Sequence, residues 1–128
     1  MKKVRDFEEY LKKGIAKKAT PDTNRALNFI TKAQRKKESV GERLEKLGVT
    51  ENNAEDYIES AYDIIMLLVR AKMLKEGYKS SGFGAHEAEV SYLRVLGFSE
   101  SEVQFADQLR YFRNGMLYYG TELDKEYA

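Results

Sequence analysis

The sequence predicts an all-α fold: an up-and-down bundle of four main helices and one short helix, in a single domain over residues 1–128. Apolar residues recur at steps of three and four along most of the chain. Capping residues and glycines separate these periodic segments, and no segment alternates convincingly between apolar and polar residues. A chain of 128 residues has the size of one ordinary domain and can bury a core without disulfides.

The first two helices are separated by the sequence Thr20-Pro21-Asp22. Gly14 interrupts the first helix only weakly, and Pro21 suits the first turn of the second. Gly48 is predicted to end the second helix as a left-handed cap. Apolar residues mark the first helix at Val4, Phe7, Leu11 and Ile15, and the second at Leu27, Ile30, Ala33, Val40, Leu44 and Leu47.

The third helix, about Ala54–Glu76, is apolar on most of its circumference and is predicted to be the central helix of the bundle. Asn53 is predicted to cap it, ahead of an acidic first turn that the helix dipole favours. Gly77 is predicted to end it. The stretch Gly77–Ala85 contains three glycines and two serines, and we expect it to be a flexible loop.

A short helix, about His86–Leu96, is predicted to close at Gly97-Phe98, and Ser99 with Glu102 forms the capping box that opens the last helix. The last helix has two partly apolar faces, and such a helix usually buries one in its own core and the other against something else. The first face, predicted to lie in the core, consists of Phe105, Leu109, Phe112, Met116, Tyr119 and Leu123. The second face, predicted to contact a partner, consists of Val103, Ala106, Arg110, Arg113 and Leu117.

The composition excludes several classes of function. There is no cysteine, which excludes disulfides and thiol nucleophiles, and the single histidine leaves no transition-metal site of the His/Cys kind. We expect no cofactor and no metal. The N-terminus lacks the apolar run of a signal peptide, and the longest apolar run, Ile64–Val69, is far shorter than the ~20 residues that span a bilayer. A soluble, cytoplasmic protein without a membrane partner is therefore expected.

Charge is distributed unevenly along the chain. Residues 1–46 contain 14 Lys and Arg against 7 Asp and Glu, whereas residues 47–128 contain 8 against 14. A basic surface of this kind can face nucleic acid or an acidic partner. Since the basic residues are interleaved with Glu, a solvated helix face or mutual neutralisation of the two halves is the favoured interpretation.

Candidate functional residues lie on the third and last helices. Arg110 and Arg113 in the predicted partner-facing seam require anions, either carboxylates or phosphates. Asp63 lies in an otherwise apolar stretch, and Glu59 is one turn before it. Asp63 either pairs with an arginine of the last helix and fixes the register of the bundle, or orients that arginine toward a phosphate. His86, just after the glycine-rich stretch, is an accessory candidate.

The segment Arg113-Asn114-Gly115-Met116-Leu117-Tyr118-Tyr119-Gly120 resembles the last long helix of the HEPN superfamily of small helical bundles. Members commonly carry Arg there, followed by Asn, Asp or His, and end in His after four to six intervening residues. The corresponding positions here hold Tyr118, Tyr119 and Gly120. The similarity continues upstream through the glycine-rich stretch, His86-Glu87 and Ser91-Tyr92-Leu93, and covers roughly residues 22–120.

The resemblance implies a homodimer through the last helix and a cleft that binds RNA or a nucleotide. Many bacterial and archaeal members pair with a minimal nucleotidyltransferase in toxin–antitoxin systems. Arg113 matches the motif arginine, Asn114 matches the polar residue after it, and Glu59 or Asp63 matches the acidic partner on the preceding long helix. Arg110 and Arg113 would then hold the phosphate.

Three hypotheses follow. The first is a non-catalytic or weakly catalytic RNA- or nucleotide-binding module. The second is a metal-independent endoribonuclease with Arg113, Asn114 and either Tyr118 or His86 in catalytic roles, although a tyrosine with an ordinary pKa near ~10 is a weak base at neutral pH. The third is a helical interaction protein whose arginines are neutralised by the carboxylates of the third helix.

Overall fold

The computed structural model describes residues 3–119 and 124–128, and within the last helix it describes side chains only as far as Gly115. The chain folds as an all-α bundle, as predicted, with one small two-stranded sheet added to it. The elements in chain order are α1 (Phe7–Lys12), β1 (Ala16–Lys18), α2 (Thr23–Leu47), α3 (Ala54–Glu76), β2 (Tyr78–Ser80), α4 (Ala85–Val95) and α5 (Glu100–Tyr119).

The central helix is α3, as its apolar circumference predicts. It packs against α2, α4, α5 and β2, while α4 also packs against α1 and α5. Helix α2 lies along α3, and the apolar side chains of Leu27, Leu44 and Leu47 remain exposed on it. The core is therefore built from α1, α3, α4 and α5; among its members are Phe7, Tyr10, Ile58, Met66, Val69, Met73, Val90, Tyr92, Val103 and Leu109.

The N-terminal segment differs from the prediction. The first helix covers only six residues, because Gly14 adopts a φ of 75° and ends it in a Schellman motif. In this motif the Gly14 amide donates to the Leu11 carbonyl, and the Ile15 amide donates to the Tyr10 carbonyl. Ile15 therefore lies outside the helix and leads into β1, a strand that the sequence did not predict.

The strand β1 pairs with β2 in antiparallel register, with Lys17 opposite Lys79. Part of the stretch predicted to be a flexible loop is therefore an ordered strand. Gly77 permits this approach: its φ is 88°, and its carbonyl accepts a 2.8 Å hydrogen bond from the Ala19 amide. A Cβ at position 77 would lie only 2.9 Å from the Ala19 carbonyl oxygen, so a larger residue would push β1 away.

Two of the predicted helix boundaries are confirmed in detail. Gly97 and Phe98 donate their amides to carbonyls in the last turns of α4, which is the Schellman pattern. The Ser99 amide donates to Glu102 Oε1 at 3.0 Å, and the Glu102 amide donates to Ser99 Oγ at 3.2 Å. This reciprocal pair is the predicted capping box at the start of α5.

Two other boundary residues act differently from the prediction. Asp22, and not Pro21, adjoins the first turn of α2, where its carboxylate accepts a 3.0 Å hydrogen bond from the Arg25 amide. Asn53 stands immediately before α3 but does not cap it. Its Oδ1 accepts a 2.7 Å hydrogen bond from the Thr50 amide, so this side chain closes the preceding turn.

The two faces of α5 do not divide between core and partner as predicted. Val103 and Ala106, from the face predicted to contact a partner, are buried in the chain's own core beside Leu109 of the predicted core face, whereas Phe105 of that predicted core face is 54 % exposed. The inward face can carry Arg110 and Arg113 because carboxylates of the same chain neutralise them. The dimer face predicted from the sequence is therefore wrong, since a face that fills the core is not available to a second copy.

An apolar groove of about 770 Å³ runs between α2 and α5, with α3 as its floor. Leu68, Phe98 and Phe105 line it, and each keeps more than a third of its surface exposed. The exposed side of α5 therefore forms one wall of this groove.

Candidate functional site

A pocket of about 490 Å³ lies between α1, α5 and the loop that precedes α4, and we call it the α1–α5 pocket. Three residues that the sequence analysis singled out, His86, Arg110 and Asn114, line it together. The other lining residues are Arg5, Tyr10, Lys13, Ile15, Gly82, Phe83, Gly84, Ala85 and Glu87. The fold thus places the single histidine beside the polar residues of the last helix.

Backbone geometry brings these residues together. Lys13 is the C-terminal cap of α1, at the point where the chain turns toward β1. Gly84 has a φ of 87°, and a Cβ there would lie 3.3 Å from the side chain of Ile15, so the loop backbone packs directly on that residue. Arg5 is held in place because Arg94 Nη1 donates a 3.0 Å hydrogen bond to its carbonyl.

Arg110 is held rigidly by two carboxylates. Its Nε donates a 2.7 Å hydrogen bond to Asp107 Oδ1, and its Nη2 lies 3.4 Å from Glu87 Oε1. Burial by itself lowers the pKa of Arg110, but the hydrogen bond and charge of Asp107 more than offset this and raise it. The guanidinium therefore remains charged and fixed in position at the wall of the pocket.

Glu87 joins three helices at the rim of the pocket. Besides Arg110 of α5, it accepts a 3.2 Å hydrogen bond from the hydroxyl of Tyr10 on α1. Burial and the neighbouring Glu87 charge raise the pKa of Tyr10 to about 12. This hydroxyl thus remains a hydrogen-bond donor at neutral pH.

His86 is held by a buried carboxylate. Its Nδ1 lies 3.0 Å from Oε1 of Glu89, which is itself buried and also accepts hydrogen bonds from Nε and Nη2 of Arg70. Nη2 of Arg70, which only donates, also lies 3.3 Å from this Nδ1. The carboxylate of Glu89 only accepts and is closer, at 3.0 Å, so it favours a proton on Nδ1 and leaves Nε2 as the acceptor of the neutral ring. Burial acts to raise the pKa of Glu89, but the hydrogen bonds from His86 and Arg70 outweigh it and lower the pKa.

A second pocket, of about 430 Å³, lies on the other side of His86, and we call it the α2–α3 pocket. It shares Ala85 and His86 with the α1–α5 pocket. The rest of its lining consists of Arg25, Phe29, Arg70, Met73, Leu74, Tyr78, Lys79, Ser80 and Glu89. The start of α4 therefore separates two neighbouring concave sites.

The motif arginine, Arg113, does not line the α1–α5 pocket. Its Nε lies 3.1 Å from Asp63 Oδ1, and the same carboxylate lies 3.5 Å from Nζ of Lys36 on α2. This is the pairing of Asp63 with an arginine of the last helix that the sequence analysis gave as one of two alternatives. The contact joins α2, α3 and α5, so Asp63 fixes the relative register of three helices.

Tyr62 lies beside this ion pair with an unsatisfied hydroxyl. The guanidinium carbon of Arg113 is 5.7 Å from the ring centroid, within cation–π range. Among the residues that the structure describes, neither the buried Tyr62 hydroxyl nor Arg113 Nε has a hydrogen-bond partner. Burial, followed by the nearby Glu89 charge, raises the pKa of Tyr62 to about 12.

Glu59 does not line the pocket. It is half-buried on α3 and, within residues 3–119 and 124–128, forms no ion pair with either arginine of α5, so of the two carboxylates predicted to orient these arginines, Asp63 is the one that contacts Arg113. The side chain of Tyr118 lies outside the described residues, as do those of Met116, Leu117 and Tyr119 and the whole of 120–123.

Sequence reasoning missed several charged residues of the site. Asp107 and Glu89 each have a buried carboxylate next to buried apolar residues. An acidic residue among apolar residues of a helix indicates a paired charge, and this signal was already present in the sequence. Arg5 and Lys13 gave no such signal, because they reach the pocket only through the unpredicted turn at Gly14.

Within the described part of the chain, no group of three or more His, Cys, Asp or Glu side chains is arranged to hold a metal ion. None of the described helices combines the length and the apolar character needed to cross a membrane. Comparisons with protein-family models, with curated proteins and with solved structures find no match to this chain.

Proposed function

We propose that this protein is a HEPN-like module that binds RNA or a nucleotide by holding a phosphate group in the α1–α5 pocket. The observation that supports this most directly is the charge of the lining, which combines Arg5, Lys13 and Arg110 with one carboxylate, that of Glu87. Outside the lining, Glu9 pairs with Arg5 and Asp107 pairs with Arg110, so Lys13 is the lining cation without a carboxylate partner among the described residues. Cations placed together in this way are what phosphate recognition uses. Arg110 is the most rigid of them, because Asp107 orients its guanidinium.

The remaining lining residues supply the contacts that a nucleotide needs besides charge. Asn114 has an amide that can donate to a phosphate oxygen, and the exposed His86 lies at the start of α4. Phe83 is 100 % exposed in the loop at this pocket, where it offers an aromatic face for a base. Base–aromatic stacking beside cationic groups is the usual basis of single-strand binding.

A pair of adjacent lysines tests this proposal. Lys13 lines the pocket and Lys12 does not, yet both are exposed at the end of α1, so Lys13→Gln and Lys12→Gln change the net charge equally. Anisotropy of a labelled single-stranded RNA in EDTA should show several-fold weaker binding for Lys13→Gln at moderate salt, whereas Lys12→Gln should bind like the parent. Equal affinities for the two variants, or no binding by the parent protein, would refute the proposal.

A metal-independent endoribonuclease is the second candidate, and the geometry of His86 favours it. With Nδ1 engaged by Glu89, the ring retains Nε2 as the atom that takes a proton from a ribose 2′-hydroxyl. In this candidate the 2′-oxygen attacks the adjacent phosphorus while the bond to the 5′-oxygen of the next nucleotide breaks. The products are a 2′,3′-cyclic phosphate and a 5′-hydroxyl, which takes its proton from the protonated His86 or from water. Arg110, in place of Arg113, is the neighbouring positive charge. It requires EDTA-resistant RNA cleavage that is lost in His86→Gln; intact RNA after prolonged incubation would exclude it.

A helical interaction protein is the third candidate, and it is favoured by the contact between Arg113 and Asp63, which gives this arginine a role without any ligand. One measurement distinguishes this candidate from the binding module: only the binding module has an affinity for RNA that depends on Lys13.

For the assembly we propose a cytoplasmic homodimer, with a minimal nucleotidyltransferase as a further partner in a toxin–antitoxin pair, as the family resemblance implies. The dimer would use the apolar groove between α2 and α5. Lys72 and Lys75 stand on its α3 side and Glu102 on its α5 side. A second copy packed into the groove about a two-fold axis would bring its Glu102 toward Lys72 and Lys75 of the first and would cover Phe105 with apolar side chains.

A further inference from the structure

The two pockets are adjacent, and both are lined by the first two residues of α4, Ala85 and His86. Their linings are similar in character. The α1–α5 pocket combines cations with Tyr10, Ile15 and Phe83, and the α2–α3 pocket combines cations with Phe29, Met73 and Tyr78. Each site therefore offers positive charge beside an aromatic ring.

The cations of the α2–α3 pocket are of two kinds. Arg70 is neutralised by Glu89, with which it makes two hydrogen bonds. Arg25 and Lys79 have no carboxylate partner among the described residues, and the Arg25 guanidinium lies 5.5 Å from the ring centroid of Phe29. The pocket thus has two uncompensated positive charges, one of them beside an aromatic ring, which is the combination that binds a nucleotide through its base and its phosphate.

We propose that the two pockets are consecutive nucleotide subsites and that the ligand is a single-stranded oligonucleotide running across His86. This rests on the proposed function of the α1–α5 pocket, which would hold one phosphate of the strand. The neighbouring base occupies the α2–α3 pocket against Phe29 and Tyr78, and its phosphate contacts Arg25 and Lys79. A mononucleotide fills only one of the two subsites, so affinity increases when the ligand becomes long enough to reach both.

Binding of a length series tests this inference. The probes are a 5′-phosphorylated uridine mononucleotide and oligouridylates of two, three and six residues, titrated by calorimetry in EDTA. The parent protein should gain about tenfold in affinity between the mononucleotide and the trinucleotide, since one more stacked base and one more phosphate are engaged. The double variant Arg25→Gln/Lys79→Gln should lose this gain and bind the mononucleotide like the parent.

A charge-matched control is the double variant Arg35→Gln/Lys37→Gln, whose positions are exposed on α2 and line neither pocket. It should retain the gain with length. If Arg25→Gln/Lys79→Gln retains the gain as well, or if the parent shows none, the second subsite is refuted, while the Lys13 comparison still decides the first. If the parent binds no member of the series, the proposed function itself fails.

Discussion

Arg113 and Asp63 form an ion pair between α5 and α3, with Nε 3.1 Å from Oδ1 and both side chains largely shielded from water. The pair links the last helix to the central one, and Lys36 adds α2 through the same carboxylate. Its position explains why a conspicuous arginine in the last helix contributes to the architecture of the bundle, whereas Arg110, one turn earlier, contributes to the pocket.

The first prediction concerns the stability contributed by this pair. Arg113→Ala and Asp63→Ala should each lower the free energy of unfolding by about 1–3 kcal/mol. Asp63→Ala leaves Arg113 half-buried without a carboxylate among the described residues, and Arg113→Ala leaves Asp63 only its 3.5 Å contact with Lys36. The double variant should lose less than the sum of the two changes, as urea denaturation would show. If the losses of the two single variants simply add in the double variant, Arg113 and Asp63 do not stabilise each other. Arg113→Ala should also bind RNA like the parent, since Arg113 does not line the α1–α5 pocket.

The second prediction compares two buried tyrosines of α3. The hydroxyl of Tyr57 donates a hydrogen bond to the Gly48 carbonyl at 3.2 Å, whereas that of Tyr62 has no partner among the described residues. Tyr57→Phe should therefore lower the free energy of unfolding by about 1 kcal/mol, while Tyr62→Phe should leave it unchanged or raise it. Thermal denaturation distinguishes the two, and equal losses in both variants would show that the Tyr62 hydroxyl is satisfied.

The third prediction concerns acid stability through Glu89. The pKa of Glu89 is lower in the folded state than the ordinary value of 4.5. The stability that its ionised carboxylate contributes is therefore fully present above pH 4.5. It is lost as the pH falls below 4.5 and through the folded-state pKa. Glu89→Gln should lower the free energy of unfolding at pH 7 by about 3 kcal/mol, because Arg70 is left half-buried and unpaired.

Denaturation curves between pH 7 and pH 3 check the sign of this effect. The difference in stability between the parent and Glu89→Gln should shrink as the pH falls. Protonation removes from the parent the same carboxylate charge that the substitution removes from the variant. A difference that is independent of pH would show that the charge of Glu89 is not the cause.

The fourth prediction concerns Phe83, whose ring is fully exposed. Phe83→Ala should weaken the binding of single-stranded RNA by about fivefold or more through the loss of stacking, without changing the melting temperature. Tyr111 is the control, since it is an exposed aromatic residue outside both pockets. Tyr111→Ala should bind like the parent, and equal losses in both variants would indicate non-specific aromatic contacts.

The fifth prediction concerns the dimer. Phe105→Ser removes the largest exposed apolar side chain of the groove wall on α5 and should shift the mass measured by light scattering from two chains toward one. Leu47→Ser is the matched control, because Leu47 is even more exposed but lies at the end of α2, outside the groove. A parent protein that is monomeric at all concentrations would refute the proposed dimer.

Local signals in the sequence were sufficient to predict much of the fold. The capping box of Ser99 and Glu102 and the Schellman motif at Gly97 depend on residues within a few positions of one another, so the sequence shows them directly. The central position of α3 follows from its own apolar circumference. The strand pairing of β1 with β2 could not be predicted in the same way, because it joins segments that are about sixty residues apart.

The site was predicted in part, and the reason is geometric. Arg110, Asn114 and His86 were selected by residue type and do meet in one pocket, but Arg113 lies on a neighbouring face of the same helix. Which face of α5 turns inward depends on the carboxylates of Asp63, Asp107 and Glu87, and these come from different helices. An amphipathic pattern describes the two faces of a helix and does not choose between them when both contain apolar residues and charge.

The pairing of β1 with β2 has a consequence for the order of folding. The whole of α2 and α3 lies between the two strands in the chain, so these helices form a hairpin inserted into a β-ladder. Contacts between α2 and α3 are local and are expected to form early, whereas the ladder closes a long loop and is expected to form late. The walls of the α1–α5 pocket come from a segment before β1 and from segments after β2. A chain released from the ribosome is therefore expected to gain its helices first and to complete this pocket only at the final step of folding.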